Sequence, residues 1–261
     1  MRLISLTCIF WLVVACGSDT GGIRKAEPGA AGTPSVGTPS GLAGGSGGGL
    51  AGGTPSGPCL DQMVFIDDLG GYCIDRYEAR IAQWSPFEVA QSGSTATVEP
   101  GEPPQGYISG DVAAEACALA GKRLCTAPEW MRACEGPSGT LYPYGNQEDP
   151  EACNTARGVH PVVELFGVDA DWSPTQMNDP RLNQLPDSLD AAGANPACVS
   201  ADGVYDLHGN LHEWIDDPDG TFRGGFYVDA VLNGAGCTYT TTAHSTTYHD
   251  YSTGFRCCAD G

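Results

Sequence analysis

The chain has 261 residues and carries 32 acidic against 12 basic side chains, a formal net charge of −20. A phosphate backbone calls for clustered Lys and Arg, so this balance excludes nucleic acid as a partner. It suits solubility outside a cell and leaves carboxylates for hard cations.

Residues 1–15 read as an export signal. Arg2 is followed by an apolar run from Leu3 to Ala15, too short to cross the roughly 30 Å of bilayer hydrocarbon as a stable helix. The run closes on Val13-Val14-Ala15-Cys16, a lipobox, so Cys16 is expected to be the lipidated first residue of the mature protein. That places the protein outside the cytoplasm, anchored to the bacterial cell envelope at the outer membrane, with the membrane itself as one partner. Several acyl chains hold a protein firmly where one does so only marginally. Residues 16–58 follow as a tether of Gly, Ala, Ser, Thr and Pro in which Thr-Pro-Ser recurs at Thr33–Ser35, Thr38–Ser40 and Thr54–Ser56. Such a coil spans about 35 Å and buries too little to fold.

Residues 59–261 are large enough to bury one core, and the cysteines point to an oxidised one. Of the 12 cysteines, Cys8 lies in the signal and Cys16 is the lipid site, leaving an even ten for the domain. Zinc is the competing use, but no Cys-x-x-Cys is present and the histidines do not follow cysteines at finger spacing. On the order of a thousand disulfide pairings remain open, with Cys59 and Cys73 placed as a local staple. A helix is expected from Asp111 to Ala120, where Ala113, Ala116, Cys117 and Ala120 share a face and Gly121 stops the run. A second begins at Thr126-Ala-Pro-Glu129, a capping box with Pro128 in the first turn, and ends at Gly136. The rest is Gly-, Pro-, Asn- and Asp-rich with short apolar runs such as Met63–Ile66, which indicates a loop-rich α+β domain. The long irregular stretch Val168–Asn195 needs disulfides or metal to hold it.

Within Gly203–Trp214 the carboxylates of Asp206 and Glu213 flank a Gly-Asn turn whose carbonyls can face inward. Hard oxygens in that mixture suit calcium, and a polar turn between buried Tyr205 and Trp214 is the plainer alternative. His208 and His212 stand four apart beside Glu213, but Gly209-Asn210 between them disfavours the helix a zinc pair needs. They read as surface or packing histidines.

Four blocks, in order, carry a resemblance to the formylglycine-generating enzyme, or sulfatase-modifying factor, family. They are Cys73-Ile-Asp-Arg-Tyr-Glu-Ala79; Lys122-Arg-Leu-Cys-Thr-Ala-Pro-Glu-Trp130 running into Tyr142-Pro-Tyr-Gly145; Gly203–Trp214; and Gly254-Phe-Arg256, with Arg223-Gly224-Gly225 between the last two. The resemblance implies a C-type-lectin-like fold with structural calcium. It makes Asp206 and Glu213 side-chain ligands and Gly209 and Leu211 carbonyl ligands, and puts a second calcium near Asn154, with Asp169 or Asp171 as its carboxylates.

Active members resembled here continue the Arg-Gly-Gly element with a serine and then two cysteines, which bind copper(I) and oxidise a substrate-protein cysteine to formylglycine with oxygen. Soft thiolates are what copper(I) requires. This chain has Phe226 at the serine position, Asp229 at the first cysteine and Gly234 near the second, with Cys237 close by. Two expectations follow. One is a domain without oxidase activity and with no catalytic residue, a lectin-like module binding a protein, peptide or glycan. The other is a formylglycine-generating oxidase with a rearranged copper site from Cys237, Cys257 and Cys258. Under the first, Cys237 pairs with Cys257 or Cys258 in a disulfide.

Overall fold

The computed structural model describes residues 58–242 and 244–261, so the expected export signal, Cys16 and the tether up to residue 57 lie outside the described residues. Helix α1 spans Gly110–Leu119, with Ser109 Oγ accepting from Val112 N at 3.3 Å and Ala113, Ala116 and Cys117 buried along one face. The expected helix starts one residue later, because Ser109 is the cap and frees Gly110 for the first turn. Helix α2 spans Ala127–Glu135. Its capping box forms as expected: the Glu129 carboxylate reaches back to Thr126 N at 2.8 Å and also takes both Arg123 guanidinium nitrogens. Two shorter helices follow, α3 at Pro161–Phe166 and α4 at Pro174–Met177. Among the described residues no helix is long and apolar enough to cross a membrane.

The strands are short. In chain order they are β1 Met63–Ile66, β2 Tyr72–Asp75, β3 Arg80–Ile81, β4 Ala96–Thr97, β5 Arg123–Leu124, β6 His212–Trp214, β7 Phe222–Arg223, β8 Thr240–Thr241, β9 Thr253–Phe255 and β10 Cys257–Asp260. One antiparallel sheet has the order β1-β2-β10-β5, so the last strand inserts between the second and the fifth, with Cys258 opposite Ile74 and Cys257 opposite Leu124. The other four-stranded sheet, β8-β7-β6-β9, contains a parallel pair in which Trp214 faces Phe255. A small β3-β4 ladder stands apart.

Because successive side chains of a strand point to opposite faces, β10 stitches two cores. Cys257 joins the core of Ile81, Ile108, α1, Trp214, Phe222 and Phe255, whereas Cys258 joins that of Ile74, Trp130, Val204, Leu207 and Ile215. The disulfides follow: Cys117–Cys257 in the first core, and Cys125–Cys258 and Cys134–Cys237 in the second. Cys59–Cys73 is the expected local staple, and Cys153–Cys198 completes the set. The expected pairing of Cys237 with Cys257 or Cys258 is therefore corrected. Cys237 lies in a short 3-10 turn, Gly236–Thr238, packed on α2, and both β10 cysteines are claimed from other sides.

A third core of Tyr107, Val162, Leu182, Tyr227 and Tyr251 anchors residues 168–195. No cysteine lies within that stretch, so neither a bridge nor a metal ligand of that type fixes it from inside. Instead Cys153–Cys198 closes around it, and buried Asn183 donates to Tyr251 O at 2.8 Å and accepts from Tyr227 Oη at 2.9 Å.

Candidate functional site

Gly203–Trp214 crosses the domain as a tight double turn. Asp206, Gly209 and Asn210 all take left-handed backbone conformations, with φ of 60°, 86° and 57°. At Gly209 the reason is steric as well as torsional: a Cβ there would stand 2.1 Å from Asn154 O. That close approach lets Asn210 N donate to Asn154 O at 2.8 Å.

The sequence blocks converge on this turn through a buried polar core. Arg76 donates to Gly203 O, Tyr77 stacks on Tyr205 with ring centroids 5.0 Å apart, and Glu78 accepts from Asn210 Nδ2 at 2.5 Å and Leu211 N at 3.1 Å. Glu213 accepts from Arg256 Nε and Nη2, each at 2.6 Å, and from Trp130 Nε1 at 2.7 Å. Arg256 is wholly buried and also donates to Asp75 O and Tyr205 O. Asp75 in turn accepts from Lys122 Nζ at 2.5 Å and Cys257 N at 2.9 Å. Glu78, Trp130 and Arg256 stood inside the motif blocks, but their roles as partners of the turn were not legible, since those pairings span 43 to 133 residues.

Three carboxylates, Glu78, Asp206 and Glu213, are thus buried, and of these only Glu213 is bonded to the buried Arg256 guanidinium. Burial, then the neighbouring Asp206 and Glu213 charges, push Glu78 well above the carboxylate range. Burial likewise raises Asp206 to about 7, even though its Oδ2 accepts from Gly193 N at 2.7 Å. Burial thus disfavours the charged form of both carboxylates. The four expected calcium positions do not contribute equally. A carboxylate offers about four lone-pair sites, and three of those on Glu213 are engaged by Arg256 and Trp130. Glu213 therefore keeps one lone pair without a donor. Asn154 serves as a clasp, its Nδ2 donating to Ser188 O and Asn210 Oδ1. Asp169 and Asp171 are exposed, and Asp171 accepts from Ser173 N. Among the described residues no group of three or more His, Cys, Asp or Glu is gathered as a metal cluster.

The segment after Arg223-Gly224-Gly225 is a compact loop. Phe226 and Asp229 exchange backbone hydrogen bonds at 2.9 and 3.0 Å, and a Cβ on Gly225 would meet Ala230 Cα at 2.4 Å. Asp229 spends its carboxylate on the loop itself, accepting from Val231 N and Leu232 N through one oxygen and from Tyr239 Oη through the other. Cys237, Cys257 and Cys258, the expected alternative copper ligands, are each consumed in a separate disulfide. A disulfide sulfur is not a thiolate, so the residues present do not fit copper(I).

His208 and His212 are packing residues, and buried ones. His212 lies among Phe222, Phe226 and Tyr239 with ring centroids 4.6 to 5.6 Å away, and its burial pushes its pKa down to about 3. Replacing His212 with Ala should lower stability by about 2–3 kcal/mol through the cavity left among three rings, read from equilibrium urea unfolding. A wild-type midpoint would mean that the rings close the gap at no cost.

Residues 64–260 match the family profile of the sulfatase-modifying factor enzyme 1-like domain. Two relatives, each called inactive C-alpha-formylglycine-generating enzyme 2, come from Bos taurus and Mus musculus. They are 29% and 28% identical over 169 and 174 residues, covering 59% and 60% of this chain and 49% of each relative. The chain thus spans about half the length of these curated relatives. Among solved structures, PvdO from Pseudomonas aeruginosa superposes with a TM-score of 0.47 at 14% identity, covering 76% of this chain and 90% of that one.

Proposed function

The chain belongs to the sulfatase-modifying factor enzyme 1-like family, and from that membership we propose that its α+β, C-type-lectin-like domain is an interaction module that does not oxidise cysteine to formylglycine. One observation carries the reading: all ten cysteines of residues 59–261 are paired in five disulfides, and the three that follow the Arg-Gly-Gly element, Cys237, Cys257 and Cys258, each sit in a separate one. Copper(I) chemistry needs free thiolates at close range, and an Asp229 carboxylate turned into its own loop is no substitute. The relatives named inactive are compatible with the same loss. Titrating the oxidised protein with copper(I) held by ascorbate, then adding oxygen and a cysteine peptide, should give no stoichiometric binding and no aldehyde. Tight binding with oxygen-dependent conversion of the peptide cysteine would overturn the reading.

On this proposal the module is held outside the cytoplasm, at the cell envelope, by a lipid on Cys16 and the tether of residues 16–58. The support is the lipobox and the composition of the linker; mass spectrometry of the mature protein should find acylated Cys16 at its N-terminus, and an unmodified Cys16 removes the anchor. Calcium is proposed as a structural ligand at Asp206, Gly209, Leu211 and Glu213, supported by the uncompensated carboxylates there. A ligand bound only by the native state stabilises it by mass action, about 2.7 kcal/mol at a hundred times its Kd. Chelation should therefore lower the melting temperature, and Asp206→Asn should shrink the difference between calcium and chelator. Superimposable melting curves would exclude the site.

A further inference from the structure

Nine of the ten domain cysteines are at most 6% exposed, whereas the tenth, Cys59, stands half-buried between exposed Pro58 and Leu60. Its bridge partner Cys73 is fully covered in the middle of β2, opposite Phe65 of β1 and Ala259 of β10. Thiol–disulfide exchange starts when a thiolate reaches one sulfur of the bridge, so access decides which bridge reacts and at which end. Four bridges join buried cysteines to each other; Cys59–Cys73 joins a buried one to one that solvent touches.

Little else ties this end of the chain down. None of residues 58–62 belongs to a core, Leu60 is 45% exposed, and Asp61 and Gln62 are exposed as well. The backbone bonds of the stretch, Met63 N to Leu60 O at 3.2 Å and Arg76 N to Gln62 O at 2.8 Å, lie on the β1 side of Cys59. Strand β1 is held independently, by its ladder to β2 and by Ile66 in the second core. The bridge therefore fastens the root of the tether and leaves the cores to the other four.

We propose that Cys59–Cys73 is a thiol-operated clasp, opened at Cys59 by a small-molecule thiol, which hands the chain up to Asp61 to the tether while the domain stays folded. In the step, the thiol sulfur bonds to Cys59 Sγ and the Cys59–Cys73 bond breaks. Cys73 leaves with the electron pair and takes up the proton that the attacking thiol gave up. A mixed disulfide on Cys59 results, and a second thiol molecule displaces Cys59 to complete the reduction. Burial shields Cys73, so the adduct forms on Cys59 alone. Opening adds residues 58–61, about 13 Å of extended chain, to the reach of the tether.

The test exposes the full-length protein, without denaturant, to reduced glutathione, quenches with iodoacetamide at intervals, and maps each cysteine by peptide mass spectrometry. Cys59–Cys73 should open about tenfold faster than any other bridge, or more. Glutathione should be found on Cys59 and not on Cys73, and the opened protein should keep a cooperative melting transition. The double variant Cys59→Ser, Cys73→Ser should leave the other four bridges as resistant as in the wild type. Another bridge opening at the same rate, glutathione on Cys73, or lost resistance in the variant each overturns the clasp. A Cys59–Cys73 bridge that opens only in urea does the same.

Discussion

Exchanging Arg256 for methionine should lower the unfolding free energy by about 3–5 kcal/mol, the usual cost of stranding a buried charge. Arg256 is fully buried and supplies two of the three donors to Glu213. With the guanidinium gone, buried Glu213 loses its ion-pair partner and two of its three donors. The loss also cuts the donors to Asp75 O and Tyr205 O, so two motif blocks, Cys73–Ala79 and Gly203–Trp214, lose a common partner. Equilibrium denaturation under non-reducing conditions measures the effect, and a double-mutant cycle assigns it. Glu213→Gln combined with Arg256→Met should be less destabilised than the sum of the singles, because a neutral amide no longer needs the missing charge. Strict additivity would mean that the pair is geometric neighbourhood without electrostatic coupling.

The second large effect concerns the two β10 bridges and should be non-additive in the opposite sense. In the chain-entropy account a lone bridge over 133 or 140 residues contributes about 5 kcal/mol. Cys117–Cys257 and Cys125–Cys258 run side by side, however. With either intact, the path through it between the other two sulfurs is from Cys117 to Cys125 and from Cys257 to Cys258, a loop of only about ten residues, worth roughly 3 kcal/mol. Removing Cys125–Cys258 by paired Ala substitutions should therefore cost about 3 kcal/mol. Removing Cys117–Cys257 from that variant should cost about 4 kcal/mol more, since the unfolded loop then closes only through Cys134–Cys237. The second loss exceeds the first because each bridge shields the other. Urea midpoints of the two single-bridge variants and the four-cysteine variant test this; a four-cysteine variant no weaker than the sum of its parents would count against loop closure as the origin.

What the sequence disclosed was local or carried by ordered motifs. Thr126 and Glu129 announced α2 because a capping box is complete within four residues, and Cys59–Cys73 was readable because its loop is short. The family match over residues 64–260 agrees with the motif order. Cys237 was assigned to the wrong partner because chain proximity to Cys257 and Cys258 says nothing about which face of β10 each cysteine takes, and that face is set by register against β2 and β5. His208 and His212 were left between surface and interior, since one residue's exposure depends on rings that arrive from Phe222, Phe226, Tyr239 and Tyr142. Glu213 shows the same limit at the site: its carboxylate was visible as a candidate ligand, but Arg256 and Trp130, which occupy most of it, come from distant blocks.

The insertion of β10 between β2 and β5 also sets a timetable. A ribosome delivers the chain from its N-terminus, and Cys59–Cys73 and Cys153–Cys198 can close as soon as their short loops emerge. The other three bridges all wait for residues 237–258. Until then Cys117, Cys125 and Cys134 are unpaired thiols on a partly made domain whose first sheet lacks its central strand. Native pairing of those three thiols therefore waits for the C-terminal end of the chain.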